Sequence, residues 1–256
     1  MKIVVIGSGN LATQLSLALK DAGKEILQVY SRTEAHAMAL ARKVGCDYTT
    51  QQENIRKDGD IYIISVKDDA IRELVDVVCR ERKSGLFLHT AGSIPMSVFE
   101  GCADNYGVLY PMQTFSKNRK VNFREIPCFV EASSEEAMTK VCQLAEAISD
   151  HVIACDSEKR KRMHLAAVLA CNLTNHCYRL AERVLETEQM DFKLFLPLIA
   201  ETARKVELMS PKEAQTGPMV RYDQGVMNMQ MDMLPDERTR EIYRLMAESI
   251  HEDAQS

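Results

Sequence analysis

Three features of specialised protein classes are missing from this chain of 256 residues. No stretch approaches the roughly 18 consecutive apolar residues that a membrane-spanning helix needs. The eight cysteines contain no C-x-x-C pair, and the net charge is −5 rather than strongly positive. We therefore expect no membrane association, no metal site and no nucleic-acid partner.

The composition is otherwise typical of a globular protein with one or two domains. Hydrophobic residues make up 46% of the chain and charged residues 27%, whereas tryptophan is absent and methionine occurs 14 times. Several cysteines lie within apolar runs, which favours reduced core residues over disulfides. The N-terminus enters a strand directly, without a basic and apolar leader, so we predict a cytoplasmic protein.

The first dozen residues carry the strongest functional pattern. Positions 3–6 form a continuous run of β-branched residues, which is typical of a parallel strand buried on both faces. Gly7 and Gly9 follow at once, and a helical pattern begins at Asn10. Together with Ala12 they fit G-x-G-x-x-A, the dinucleotide-binding pattern. The alternative is a strand–turn–helix unit that binds no ligand.

Each position of this pattern has a physical role in binding a pyrophosphate. Gly7 permits the tight turn, Gly9 lets the backbone approach the phosphates, and Ala12 lets the helix pack closely on the strand. The first N–H groups of the helix face the phosphates, and the helix dipole favours their negative charge. The predicted cofactor-binding residues of this turn are Gly7, Ser8, Gly9, Asn10 and Leu11.

The end of the second predicted strand, 25–31, distinguishes NADP from NAD. An NAD site places Asp or Glu there to accept hydrogen bonds from the ribose. This chain has Ser31, Arg32 and Thr33 instead. A guanidinium pairs with a 2′-phosphate, and the two hydroxyls donate hydrogen bonds to it. We therefore predict NADP in preference to NAD, with a surface arginine that closes a loop as the alternative.

Apolar runs and helical patterns alternate up to residue 155. This alternation predicts an α/β fold, a doubly wound and mostly parallel Rossmann sheet followed by an all-α C-terminal domain. We place an NADP-binding domain at 1–155 and an all-helical domain at 156–256, with Asp156 as the N-cap of its first helix. Strands are predicted at 47–49, 60–66, 86–89, 107–110, 127–131 and 152–155, and helices at 34–44, 70–81, 134–148, 158–188, 192–209, 216–233 and 236–251.

Ligands of an open parallel sheet bind beyond the carboxyl ends of its strands. Ser65, Val66 and Lys67 end the strand at 60–66, so we expect the ribose and the nicotinamide side of the cofactor to pass them. Asp68 follows and is predicted to be a helix N-cap rather than a catalyst.

Two further strand ends supply predicted substrate contacts. His89 ends the strand at 86–89 and Thr90 follows it, and Gln113 lies in the polar loop after the strand at 107–110. His89 either binds substrate, or orients a water, or is a histidine of the turn.

Polar residues also interrupt the apolar helical half. His164 lies on one predicted helix face with Val168, Cys171 and Asn175, and Asn172 lies at the border of that face. His164 and Asn172 either find partners inside a helix bundle or project into the cleft between the domains to hold substrate, because unpaired buried polar groups are costly.

A second polar cluster follows a sharp turn at 215–218. Thr216 and Arg221 either belong to a helix corner closed by a salt bridge, or face the cofactor cleft or a second subunit.

Six motifs together carry a family resemblance over nearly the whole chain. They are I-G-S-G-N-L-A (6–12), S-V-K-D-D-A-I (65–71), H-T-A-G-S (89–93), Y-P-M-Q-T-F (110–115), H-L-A-A-V-L-A-C-N (164–172) and A-Q-T-G-P-M-V-R-Y-D (214–223). With them the chain resembles bacterial Rossmann-like proteins, provisionally named NADP oxidoreductases, that carry a C-terminal domain of unknown function. Those proteins are similar to pyrroline-5-carboxylate reductase and to deazaflavin-dependent NADP reductase.

The resemblance implies an N-terminal NADP-binding domain, a helical domain that pairs in a homodimer, and an active site in the cleft between domains. Relatives often have histidine before the P-x-Q-T-F loop, where this chain has Tyr110. That difference argues against carrying over a catalytic role to this position.

The leading hypothesis is an NADP-dependent oxidoreductase that acts on a small imine or carbonyl substrate. His164 is the candidate proton donor, because an ordinary histidine pKa of about 6.5 suits that role. Asn172 is the candidate positioning residue. The alternatives are a non-catalytic NADP-binding redox sensor and a reductase that uses deazaflavin as its second substrate.

Overall fold

The computed structural model describes residues 1–80, 82 and 84–256. It contains two compact units, Met1–Cys171 and Asn172–Ser256. Asp156 caps a helix within the first unit, as predicted, by accepting a hydrogen bond from the Lys159 N–H. The domain boundary at 155/156 stays a prediction.

The first unit is built on one sheet of eight strands in the order β3-β2-β1-β4-β5-β6-β7-β8. Neighbouring strands are parallel except β6 and β7, which are antiparallel. This arrangement confirms the predicted doubly wound, mostly parallel sheet. The strands are β1 (Lys2–Ile6), β2 (Glu25–Tyr30), β3 (Asp47–Thr49), β4 (Ile61–Ile64), β5 (Leu86–His89), β6 (Asn105–Pro111), β7 (Cys128–Ala132) and β8 (Val152–Ala154).

Helices cover both faces of this sheet. Alternate residues of β1 enter two separate hydrophobic cores, Ile3 and Val5 on one face and Val4 and Ile6 on the other. Burial on both faces explains the unbroken β-branched run of this strand. The helices of the first unit are α1 (Asn10–Asp21), α2 (Glu34–Val44), α3 (Asp68–Cys79), α4 (Glu135–Glu146) and α5 (Ser157–Ala167). The predicted end of α3 at Glu81 lies outside the described residues.

The second unit is helical, as predicted for the C-terminal part of the chain. Its helices are α6 (Thr174–Thr187), α7 (Leu196–Leu208), α8 (Pro211–Ala214), α9 (Gln224–Asp232) and α10 (Glu237–Gln255). Among the residues described, we find no helix with the length and apolar character needed to cross a membrane.

The predicted uniform α-helix at 158–188 is wrong in its middle, because Val168–Leu173 is π-helical. A π-helix closes i→i+5 hydrogen bonds, so spacings of three and four no longer keep residues on one face across it. The face predicted for His164 together with Asn172 and Asn175 therefore does not follow from their spacing.

The predicted helix at 216–233 is also wrong at its start. Gly217 and Tyr222 have left-handed backbone φ angles of 116° and 53°, which interrupt a helix. Regular helix begins only after Asp223, whose side chain accepts a hydrogen bond from the Val226 N–H. Thr216 and Arg221 thus lie in irregular chain before α9.

Gly7 holds the turn between β1 and α1 in a conformation that other residues avoid. Its φ is 124°, and a Cβ here would lie 2.0 Å from the carbonyl oxygen of Ser65. The Gly7 N–H donates to the Tyr30 carbonyl at 2.8 Å, and the Ser65 N–H donates to the Ile6 carbonyl at 2.7 Å. The ends of β1, β2 and β4 therefore meet at this glycine.

Gly7→Ala is expected to lower the free energy of unfolding by roughly 2–4 kcal/mol, since it adds both backbone strain and a backbone clash. Gly9→Ala is the matched control, because a Cβ at Gly9 would meet no atom within 4 Å. That control should stay within about 1 kcal/mol of the wild type. Urea unfolding of the full chain measures both values, and equal losses would refute the role given to Gly7.

Candidate functional site

A cavity of about 660 Å³ lies at the carboxyl ends of β1, β2, β4 and β5 in the first unit. Pockets that bind small molecules and cofactors measure about 300–1,000 Å³. The cavity opens where β2 and β4 flank β1, which is the point of an α/β sheet where ligands bind.

This cavity brings together most of the residues that the sequence singled out. Fourteen of them line it: Gly7, Ser8, Gly9, Asn10, Leu11, Ser31, Arg32, Thr33, Ser65, Val66, Lys67, Thr90, Gln113 and His164. They come from strand ends and helix starts far apart in sequence, so the sheet topology is what assembles them.

The glycine turn presents backbone donors to the cavity. Gly9 is the N-cap of α1 and provides no side chain to cap the first N–H groups of that helix. Unsatisfied N–H groups at a helix start form a site for an anion, and the helix dipole reinforces it. The Ser8 hydroxyl donates to Ser31 Oγ at 2.8 Å, which ties this turn to the end of β2.

The end of β2 is the cationic part of the cavity. Arg32 is exposed there, between Ser31 and the Thr33 N-cap of α2. His36, in the first turn of α2, lines the same wall and was missed in the sequence analysis. Its place one helical turn after Thr33 is the sequence signal that identifies it.

The ends of β4 and β5 are joined by side-chain hydrogen bonds. The Thr90 hydroxyl donates to Ser65 Oγ at 3.0 Å. The prediction that Asp68 is a helix N-cap is wrong, because Lys67 holds that position and Asp68 is the first residue of α3. The Asp68 carboxylate instead accepts a hydrogen bond from the Ser93 hydroxyl.

Tyr110 and His164 meet at the cavity wall. Tyr110, near the end of β6, places its hydroxyl 2.9 Å from His164 Nδ1. A Cβ on Gly92 would lie 2.5 Å from His164 Cγ, so only glycine leaves room for this ring. The sequence analysis did not include Tyr110 or Gly92 among the site residues, since neither pairing follows from a local pattern.

Helix α5, which carries His164, is fixed to the sheet by a buried ion pair. Arg160 is 1% exposed, and its guanidinium donates to the Glu131 carboxylate and to the Ile94 carbonyl. The Ser157 N–H also donates to Glu131, at 3.0 Å. Arg160 precedes His164 by four residues, so the two lie on one face of the helix.

His89 does not lie at the cavity, and we withdraw it as a candidate catalytic residue. The residue is fully buried, stacks on Phe99 with ring centroids 5.8 Å apart, and accepts a hydrogen bond from the Ala91 N–H. Burial, together with the positive charge of Arg160, lowers the pKa of His89 to about 3. The ring is therefore neutral at physiological pH and part of the core.

Three predicted residues belong to the second unit. Asn172, Thr216 and Arg221 are exposed there, and their roles stay predictions. Across the described ranges, no group of three or more His, Cys, Asp or Glu side chains is placed to hold a metal ion.

The residues of the cavity fit a dinucleotide with an added phosphate. Gly9 leaves open space where a Cβ would intrude, and Arg32, His36, Lys67 and Lys117 line the same cavity. The chemistry of these donors suits phosphate groups.

Comparison with known proteins agrees with this geometry. The model described as "NADP oxidoreductase coenzyme F420-dependent" matches residues 2–88, and "Domain of unknown function (DUF2520)" matches residues 126–250. No curated protein matches the chain.

Solved structures extend the comparison to the full length. A protein of Bacteroides fragilis, provisionally named an NADP oxidoreductase, is 49% identical, with 98% of each chain covered and a TM-score of 0.95. An imine reductase of Streptomyces aurantiacus is 15% identical, with 100% of this chain and 95% of that chain covered and a TM-score of 0.72. An imine reductase of Myxococcus stipitatus in complex with NADP⁺ is 17% identical, with 100% and 93% covered and a TM-score of 0.65. These last two show the fold alone.

The full-length match at 49% identity shows the family and confirms the expected cofactor and enzyme class. This chain belongs to the family of NADP-dependent oxidoreductases that join a Rossmann domain to a DUF2520 domain.

Proposed function

We propose that the protein reduces a small imine or carbonyl compound with NADPH. One observation supports this most directly: a single cavity contains the glycine turn, the Ser31-Arg32-Thr33 segment and the hydrogen-bonded pair of Tyr110 and His164. Hydrogen-bond donors that bind phosphate, together with a proton-transfer group in the same pocket, suit a reductase.

The cofactor contacts follow from the positions of the donors. Backbone N–H groups at Gly9, Asn10 and Leu11 bind the pyrophosphate, with Ser8 beside them. Ser31, Arg32 and Thr33 bind the 2′-phosphate, with His36 adding a fourth polar contact. Ser65, Val66 and Lys67 contact the ribose and the nicotinamide side. When bound, NADPH supplies a hydride to the substrate carbon.

The substrate lies against Thr90 and Gln113, and His164 provides the proton. Asn172 is the proposed positioning residue for the substrate, and Thr216 and Arg221 are further proposed substrate contacts. These three roles rest on the sequence pattern alone. A cytoplasmic location also remains a prediction.

Consumption of NADPH by the purified protein tests the proposed reaction. We expect turnover with at least one member of a panel of cyclic imines and small ketones, and slower turnover when NADH replaces NADPH. A protein that binds NADPH but reduces no member of the panel would favour a non-catalytic redox sensor. Adding a deazaflavin to the panel tests the remaining alternative, a reductase that uses deazaflavin as its second substrate.

Arg32→Ala should weaken NADPH binding at least tenfold and change NADH binding less than twofold, because only NADPH carries the 2′-phosphate that Arg32 pairs with. Arg42→Ala is the matched control, since Arg42 is an exposed arginine in the last turn of α2, the helix that begins just after Arg32. Dissociation constants from nicotinamide fluorescence measure both effects. Equal losses for the two cofactors would remove Arg32 from the 2′-phosphate site.

The helical domain is proposed to form a homodimer with a second copy of the chain. Several large apolar side chains of the second unit are exposed, including Leu194, Leu196, Leu198 and Leu208 at 63%, 51%, 61% and 83%. An apolar surface of this kind is typical of an interface between subunits.

Light scattering after size exclusion should therefore give twice the mass of the chain. Leu198→Glu should shift the protein toward monomer, because it places a charge in the apolar surface. Gln215→Glu adds the same charge at an exposed polar position and should leave the mass unchanged. A wild-type protein of single-chain mass would refute the dimer.

A further inference from the structure

We propose that Tyr110 and His164 act as one acid pair, in which Tyr110 gives its hydroxyl proton to the substrate and His164 replaces it. This inference rests on the proposed reductase function and names the atom, Tyr110 Oη, that contacts the substrate nitrogen or oxygen. It assigns the direct proton transfer to Tyr110 and makes His164 the source behind it.

The geometry holds the two groups in one arrangement. Tyr110 Oη lies 2.9 Å from His164 Nδ1, and the rings meet edge to face with centroids 5.7 Å apart. The Tyr110 ring also stacks on Phe129, with centroids 6.2 Å apart. On its other side, the His164 ring fills the space that Gly92 leaves open. Both side chains line the cavity of the proposed cofactor site.

A phenol is the member of the pair that can serve both neighbours at once. A tyrosine hydroxyl accepts one hydrogen bond while it donates another, so Tyr110 can take a proton from Nδ1 as it releases its own. An imidazole binds and releases protons at its ring nitrogens, so His164 can pass a proton from Nδ1 to that hydroxyl.

The charged groups around the phenol favour its protonated form at rest. Burial raises the pKa of Tyr110. The positive charge of Arg160 on α5 lowers this pKa, and the negative charge of Asp68 on α3 raises it. The hydroxyl therefore stays a donor at neutral pH. As a positioning residue, Arg160 also holds α5, and with it His164, through its bonds to Glu131 and Ile94.

The step balances in atoms and charge. Hydride arrival at the substrate carbon places an electron pair on the nitrogen or oxygen. The electron pair on the substrate atom forms a bond to the Tyr110 proton as the Oη–H bond breaks. The Nδ1–H proton of the His164 imidazolium moves to Oη. Tyr110 ends neutral and protonated, His164 ends neutral, and solvent returns one proton to His164.

Two substitutions distinguish a role in proton transfer from a purely structural role of these side chains. Tyr110→Phe keeps the ring and removes the hydroxyl. His164→Asn keeps a hydrogen-bonding group near the place of Nδ1 but cannot change its charge. A purely structural role for His164 would be rescued by asparagine, whereas an acid role would not.

The first readout needs no substrate. In full-length protein bound to NADP⁺, with ¹⁵N-labelled histidine and ¹³Cζ-labelled tyrosine, we expect one shared inflection for His164 and Tyr110 as pH is varied. Tyr110→Phe should move the His164 midpoint by at least half a pH unit, a roughly threefold change in proton affinity. The same His164 midpoint in the wild type and in Tyr110→Phe, with no matching Tyr110 inflection in the wild type, would overturn the proposal that the two residues act as one acid pair.

The second readout uses 2-methyl-1-pyrroline as the imine probe. We expect kcat to fall at least tenfold in Tyr110→Phe and in His164→Asn, and the double variant to lose little more, since the two groups act as a unit. The wild-type rate should fall as pH rises through the His164 midpoint, because the imidazolium is the acid, and His164→Asn should lack that fall. Wild-type kcat in Tyr110→Phe would overturn the proposal.

Dissociation constants for NADPH distinguish the two levels of failure. They should stay within twofold of the wild type in both variants, since neither side chain is assigned to a phosphate. A wild-type protein that binds no NADPH refutes the proposed function. Intact NADPH binding with separate inflections for His164 and Tyr110 refutes only the proposed acid pair.

Discussion

The close approach of Gly7 to the Ser65 carbonyl sets the geometry of the site. Because no side chain fits between them, the β1–α1 turn packs directly on the end of β4. That contact points the start of α1 into the cavity and brings the end of β2 alongside through the hydrogen bond from Gly7 to Tyr30. Hydrogen-bond donors for phosphate from three strand ends therefore line one cavity, an arrangement that a Cβ at this single position would disrupt.

The proton-transfer side of the cavity depends on a different interaction. Arg160 is buried with Glu131, and breaking such a pair leaves an uncompensated charge that costs about 3–5 kcal/mol. Burying two charges costs free energy that is recovered only where both ions are well hydrogen-bonded. Here the guanidinium also donates to the Ile94 carbonyl. The pair fixes α5 on the sheet, and so fixes where His164 meets Tyr110.

Features set by neighbouring residues could be predicted from the sequence, and features set by distant contacts could not. The glycine turn and the Ser31-Arg32-Thr33 segment are local patterns, and the structure places both at one cavity. Tyr110 on β6 and His164 on α5 are 54 residues apart, and only the tertiary fold brings them together. His89 ends a strand at the edge where ligands bind, yet its ring lies in the core beside Phe99.

The central claim is that the cavity binds NADPH through its 2′-phosphate. A thermal-shift titration of the full-length protein with NADPH and NADH at equal concentrations tests it most directly, since tighter binding to the native state raises the midpoint further. We predict a clearly larger rise with NADPH. Equal rises would contradict the 2′-phosphate site, and no rise with either cofactor would contradict the assignment of the cavity itself.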